Sequence, residues 1–431
     1  MTGSISAPVP RRSMAIAALS TIVEWYDFTL YLYFATVLAR VFFGGGDASL
    51  GITLAGFAIS WLLRPLGAFC FGRIGDRYGR RRMLLISMAM MTGTMLLTML
   101  LPTCGQMGPM AGVLFLLLRG VMAFSVGGEY TGVVAYLLES APEHRRGLVT
   151  SLASAASEVG ALLAAGVSAL TVGLLSETEL SAWGWRIPFA VGFVLAGTLW
   201  FARTGLEESP EFIQQRKAKP LSLTVSLKLF RRGIGRAFAV SALGSMTYYL
   251  GITYVPSFLV YTGTFSERDA LSLSVVAAVS VIIITPFVGM LSDQIGRRPV
   301  LLFLAVGSFV IPLPVFWLMT SGHYLISMAG GILLACLAGG VSAVGTSSTA
   351  EMFPVAGRLT GLALGTTAAT ALFGGLTPWL AQSIISHSGS HLAPGLMITL
   401  VALGVLPVFM CMPETAPGQQ ISQSGTPVPD K

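Results

Sequence analysis

The chain has 431 residues, 54% of them apolar and only 10% charged, with a formal net charge of +7. Soluble globular domains carry about 25% charged residues, so this composition excludes an ordinary soluble domain and makes lipid the main solvent. The four cysteines (Cys70, Cys104, Cys336, Cys411) and four histidines are scattered, and neither set has metal-ligand or disulfide-framework spacing.

A hydrocarbon core of about 30 Å needs roughly 20 apolar residues per spanning helix. Apolar runs predict helices over 13–39, 49–74, 83–103, 109–139, 147–175, 186–206, 234–262, 269–292, 299–320, 324–351, 359–386 and 391–412,. The fold class read from this pattern is an all-α membrane protein with twelve transmembrane helices. Residues 1–206 form a first six-helix half and 234–412 a second. Between them, 207–233 is the one long polar interruption, expected as a cytoplasmic central loop. Residues 413–431 are rich in Pro, Gly, Ser and Gln and are expected as a disordered tail,. The first apolar run contains Glu24 and Asp27 and has no small-residue cleavage site, so no cleavable signal peptide is expected,.

Lysine and arginine mark cytoplasmic loops. They cluster before helix 1, between helices 2 and 3, after helix 4, through the central loop (Arg203 to Arg236), after helices 8 and 10, and at Lys431. Only Arg40, Arg186 and Arg268 fall in loops on the other side. With an even span count both termini are cytoplasmic, and the positive balance is a topology signal, not a nucleic-acid site.

The chain repeats itself. Gly72, Asp76, Gly79, Arg80 and Arg81 recur at one constant spacing as Gly289, Asp293, Gly296, Arg297 and Arg298. Glu139, Pro142 and Arg146 recur likewise as Glu351, Pro354 and Arg358. Both sets fall on loops between corresponding helices, which points to two pseudo-symmetric six-helix halves with a solute site between them. Gly79 permits a tight turn, and Asp76 can pair with an arginine or cap a helix. With Arg77, these loop residues are the candidates for gating and conformational change.

The loop Gly72-Arg-Ile-Gly-Asp-Arg-Tyr-Gly-Arg-Arg81 resembles the helix 2–3 signature of the major facilitator superfamily. Further stretches narrow the resemblance: Glu24-Trp-Tyr-Asp-Phe28, Phe124-Ser-Val-Gly-Gly-Glu-Tyr130, Trp183-Gly-Trp-Arg-Ile-Pro-Phe189, Tyr248-Tyr249 with Tyr254-Val-Pro256, and Phe373-Gly-Gly-Leu-Thr-Pro378. Together they look like the metabolite:proton symporter family. That resemblance implies the major facilitator fold and proton-coupled uptake of a small polar metabolite, through a bacterial inner membrane by alternating access. Where many relatives carry Gln-Gly before the Phe-Ser, this chain has Met122-Ala123, which removes a polar side chain near the expected cavity.

Six ionisable residues lie deep in the predicted spans, all in the first half: Glu24, Asp27, Arg64, Arg119, Glu129 and Glu158. Intramembrane charges are costly and face a cavity or a partner. Glu24 and Asp27 share a helix face. They are the first candidates for carrying the coupling proton, with Glu129 and Glu158 after them. Arg119 suits a bidentate grip on a solute carboxylate. The alternative for all of them is a set of fixed ion pairs holding helices 1, 2, 4 and 5 together. Tyr26 and Tyr130, from the motif stretches, and Tyr248, Tyr249, Tyr254 and Thr377, from the second half, are candidates for neutral contacts to the solute.

No P-loop is present, and no nucleophile, metal cluster or cofactor loop is read, so a secondary transporter is expected rather than an enzyme. Its partners are the solute, protons and membrane lipid, with a monomer as the functional unit. An organic acid such as citrate or tricarballylate is the leading solute, because Phe373 to Pro378 looks most like those members. Proline or glycine betaine is the alternative, from Tyr248-Tyr249 and Tyr254-Val-Pro256. The short tail, without the long charged heptads of the osmosensing member, weighs against it. Export of a carboxylate is the remaining direction.

Overall fold

The computed structural model describes residues 10–45, 47–215 and 223–419, and every regular element among them is helical. We group them as twelve long segments: α1 (11–43), α2 (Asp47–Tyr78), α3 (Arg80–Leu100), α4 (Met110–Ser140), α5 (Arg146–Leu174), α6 (Arg186–Thr204), α7 (223–261), α8 (Glu267–Ile295), α9 (297–319), α10 (Tyr324–Glu351), α11 (Val355–Ser388) and α12 (Ala393–Met410). Among the described residues, eight helices are long and apolar enough to cross a membrane, or nine with the bent α9 taken as one. The remaining segments are the interrupted or polar ones. α1 is broken at Ser20 and Phe34, α2 carries Arg64, Arg73, Asp76 and Arg77, and α7 opens on Lys228, Arg231 and Arg232.

Helix α7 starts at Leu223, inside the expected central loop, and Pro210–Gln215 is also helical. Hydropathy locates the lipid-crossing part of a helix, not a basic turn that continues it into water. Arg216, Lys217, Lys219 and Lys431 lie outside the described residues. The start of the expected disordered tail is ordered: Glu414, Thr415 and Ala416 are buried. The rest of that tail, from 420, lies outside the described residues.

Breaks have local causes. α9 bends by 42° where Pro312 follows Ile311, because proline cannot donate to the preceding turn. In α7 and α11 the backbone widens into π turns at Tyr249–Thr253, Ala363–Thr367 and Ala371–Gly375, the first and last of them directly before the segments that begin at Val255-Pro256 and Thr377-Pro378. Such π turns recur at functional sites. Pro286, by contrast, sits inside the unbroken α8.

The chain divides into two compact units, Met1–Glu139 with Ala156–Pro220, and Ser140–Ala155 with Leu221–Lys431. In the first, α2 packs on α4 and α3 on α6; in the second, α8 packs on α10 and α9 on α12. The same helix pairs recur six positions on, as the sequence repeat predicts. The first core gathers Tyr26, Leu30, Phe34, Met88, Phe115 and Trp185. Trp183-Gly-Trp-Arg-Ile-Pro-Phe189 is structural here. Trp185 is buried against Phe42, while Arg186 donates to the Met99 and Leu101 carbonyls and covers Trp185 at 4.3 Å.

Close approach of α2 and α4 depends on Gly127, where a Cβ would collide with the Arg64 carbonyl and the Ala68 amide. Backbone cannot give way as a side-chain tip can. Gly127→Val is therefore expected to cost about 1–3 kcal/mol by overpacking, read as a lower melting temperature of the detergent-purified protein. An unchanged melting temperature would remove this contact as a determinant of the α2–α4 pair.

Candidate functional site

Two networks explain the repeated loop motifs. Gly79 and Gly296 have φ of +107° and +112°, a left-handed region open to glycine, and they let α3 and α9 start directly after α2 and α8. Arg80 then folds back, fully buried. It donates to Glu139 at 2.8 to 3.1 Å, to the Gly75 carbonyl at 2.8 Å and to Asp76 at 3.3 Å, and lies over Phe212. Arg297 repeats this with Asp293 at 2.8 Å and Glu351 at 3.1 Å. Asp293 also accepts from the Gly147 and Leu148 amides at 2.8 and 2.9 Å, capping the start of α5 within the second unit. Arg358 is buried and donates to the Ala350 and Phe353 carbonyls. Arg146 is among the charges near Glu351, and Arg77 lies against the Tyr78 ring.

Sequence reasoning missed a third member of each network. Glu208 accepts from the Arg80, Arg81 and Ser209 amides, and Ser209 donates to Glu139. Glu414 accepts from the Arg297 and Arg298 amides, and Thr415 donates to Glu351. Each glutamate satisfies orphan donors at a helix N-terminus. Burial pushes the Glu208 carboxyl above its ordinary range, against the pull of those amides and Arg80. The signal was available as Glu208-Ser209-Pro210 and Glu414-Thr415-Ala416, which follow the last helix of each half.

The intramembrane charges sort into pairs. Asp27 takes two parallel bonds from Arg119, 2.9 and 3.0 Å. Arg64 lies 3.5 Å from Glu24. Glu129 pairs with Arg203, which also donates to Ser20 and to the Leu84 carbonyl at 2.8 Å, while Ser87 donates to Glu129. Arg203 thus corrects its assignment as a loop charge. It is fully buried at the end of α6 and ties α6 to α1, α3 and α4. Glu158 is buried on α5.

A pocket of about 350 Å³, mouth included, opens within the first unit, lined by Asp27, Phe28, Tyr31, Trp61, Arg64 and Arg119 among others. Met122 and Ala123 form part of its wall, so the missing polar pair leaves an apolar patch there. Arg64 lies over Trp61 at 4.3 Å and Phe28 at 5.3 Å, and Arg119 over Tyr31 at 5.6 Å. Glu24 lies behind Arg64. Tyr26 is placed elsewhere, its hydroxyl spent on the Pro188 carbonyl at 2.8 Å. Tyr130 is half-buried on α4. In the second unit Tyr248 and Tyr249 meet edge to face at the π turn, Tyr254 donates to Gln382 at 2.6 Å, and Thr377 donates to the Phe373 carbonyl.

The chain matches the family described as "Sugar (and other) transporter" over residues 13–232 and again over 215–422. It is 33% identical over 420 residues to the proline/betaine transporter of Escherichia coli K12, covering 94% of this chain and 84% of that protein. The citrate-proton symporter of Klebsiella pneumoniae is 31% identical, with 94% of each chain covered. The alpha-ketoglutarate permease of E. coli K12 is also 31% identical, with 96% and 97% covered. In fold it is similar to a proton:xylose symporter solved with 6-bromo-6-deoxy-D-glucose bound, with a TM-score of 0.77, 19% identity and 94% and 96% of the chains covered. The chain belongs to the sugar (and other) transporter family, as a metabolite:proton symporter of the major facilitator superfamily, with twelve transmembrane helices in two six-helix halves.

Proposed function

We propose that this multi-pass proton symporter carries a small zwitterion, of the imino-acid or betaine type, by alternating access. The observation that carries this reading is the charge balance of the pocket. Arg64 and Arg119 are each opposed by one carboxylate, Glu24 and Asp27. With Glu24, which lies behind Arg64, counted and both carboxylates ionised, the site is formally neutral and suits a solute with no net charge. A di- or tricarboxylate needs surplus positive charge, and Arg203, buried close by at the end of α6, is committed to Glu129. Similarity to proline/betaine transporters supports the same class.

This reverses the order drawn from sequence, where the organic acid came first. That second reading keeps one support, the comparable identity to citrate and alpha-ketoglutarate carriers. The working context in both is a bacterial inner membrane, with both termini cytoplasmic, a monomer as the unit, and 1–206 and 234–412 as the two halves.

Proton coupling of a neutral solute is sufficient energetically. One charge moved across 100 mV is worth roughly 2.3 kcal/mol, which supports about fifty-fold accumulation. Proteoliposomes with an imposed gradient are expected to accumulate labelled proline or betaine to that order. A thermal-shift panel of proline, betaine, citrate and 2-oxoglutarate is expected to show stabilisation by the zwitterions. Stabilisation and uptake confined to the polycarboxylates would restore the organic-acid reading.

A further inference from the structure

We propose that Arg64 is the cation that grips the solute's carboxylate, and that Glu24 is its releasable partner, so that solute and proton bind together. This rests on the preceding reading only for the presence of a carboxylate, a group that zwitterions and organic acids share.

The two arginines of the pocket are held differently. Arg119 makes two parallel bonds to Asp27, at 2.9 and 3.0 Å, and has rings of Tyr31, Phe115 and Phe189 around it. Arg64 has a single 3.5 Å approach to Glu24, outside the 2.7–3.2 Å range of N–H···O bonds. Its side chain is 15% exposed, against 5% for Arg119. The guanidinium rests on the face of Trp61, which keeps it in the pocket wall while leaving its donors to an incoming ligand. A carboxylate is the group that a guanidinium takes bidentately.

Glu24 is what such a ligand displaces. It is 4% exposed, and among the described residues its Oε2 has no hydrogen-bond partner. The charges acting on it are Arg64 on α2, Glu129 on α4 and Arg203 on α6, with Asp27 three residues further along its own helix. Arg203 is committed to Glu129 and Ser20, and Arg119 to Asp27. Once a solute carboxylate takes Arg64, no other cation among the described residues that acts on Glu24 is spare for it. A proton entering from the pocket and settling on Oε2 neutralises it, and no bond other than that O–H is made. By reciprocity, protonation raises solute affinity by the same factor that solute binding raises proton affinity.

The test is binding of betaine, proline and citrate to the purified protein by calorimetry across pH 5.5–8.5, with wild type, Glu24→Gln, Arg64→Gln and Arg64→Lys. In wild type the affinity for the bound solute is expected to rise about tenfold as pH falls. In E24Q it is expected to stay at the high-affinity level throughout. R64Q is expected to lose binding at least tenfold with an unchanged melting profile, and R64K to recover part of it. A solute-free arm reads Trp61 emission as the difference between each protein and its W61F partner. A pH-dependent change in wild type, absent in E24Q, is expected. An E24Q protein that keeps the wild-type pH dependence in either readout overturns the proposal, as does an R64Q protein that binds normally. Binding of citrate but not betaine overturns the zwitterion reading alone, since the Glu24 and Arg64 arms are then scored on citrate.

Discussion

Replacing Arg203 by methionine is expected to destabilise the protein by about 3–5 kcal/mol, the cost of breaking a buried ion pair from one side. Arg203 has no exposure, and its partners come from three other helices: Glu129 on α4, Ser20 on α1 and the Leu84 carbonyl on α3. Removing it strands the Glu129 carboxylate, whose other bond is to Ser87. The double variant Arg203→Met with Glu129→Leu removes both charges, and is expected to recover most of the loss, since apolar replacements of buried pairs are often neutral. Thermal unfolding in detergent, run as a double-mutant cycle, measures the coupling. An R203M protein with a wild-type melting temperature would show that the pair contributes nothing to stability.

Arg203 also shows where sequence reading stops. At the end of an apolar run, an arginine reads as a topology charge, because hydropathy along one chain carries no information about facing helices. Its burial is a tertiary fact. The twelve spans were legible because lipid imposes a length on every helix, and the boundaries of α4, α6 and α10 fall within a few residues of expectation. The start of α7 was not, because Lys228, Arg231 and Arg232 give its first turns the composition of a loop. Gly79, Asp76 and Arg80 were legible through the repeat. Glu208 and Glu414 carry the same repeat, but they fall outside the helices, in the segments read as central loop and disordered tail. The motif stretches at Tyr249 and Phe373 coincide with π turns, a backbone feature that hydrophobic periodicity cannot separate from α-helix.

Pairing was the other thing hidden from the sequence. Six intramembrane charges were visible, but which carboxylate opposes which arginine depends on how α1, α2 and α4 pack. That pairing decides the expected solute, because it sets the pocket's net charge.

Asp27→Asn is therefore expected to change selectivity. The Asp27–Arg119 pair faces the pocket, with side-chain exposures of 6% and 5%. Asparagine keeps the size and one carbonyl acceptor for Arg119, but removes the negative charge. The wall then gains one net positive charge. At an effective dielectric of about 20, a unit charge 4 Å away interacts by about 4 kcal/mol before desolvation. Even a third of that is about tenfold in relative affinity. Competition of proline, betaine, citrate and 2-oxoglutarate against one labelled solute reads the ratio directly. The variant is expected to favour the carboxylates over the zwitterions by at least about tenfold relative to wild type. Proton dependence of binding is expected to persist, because it is assigned to Glu24. If D27N leaves the ratio unchanged, the neutral wall does not set selectivity, and the Asp27–Arg119 pair serves to tie α1 to α4. If proton dependence vanishes in D27N and survives in E24Q, the coupling carboxyl is Asp27, and Glu24 only anchors Arg64.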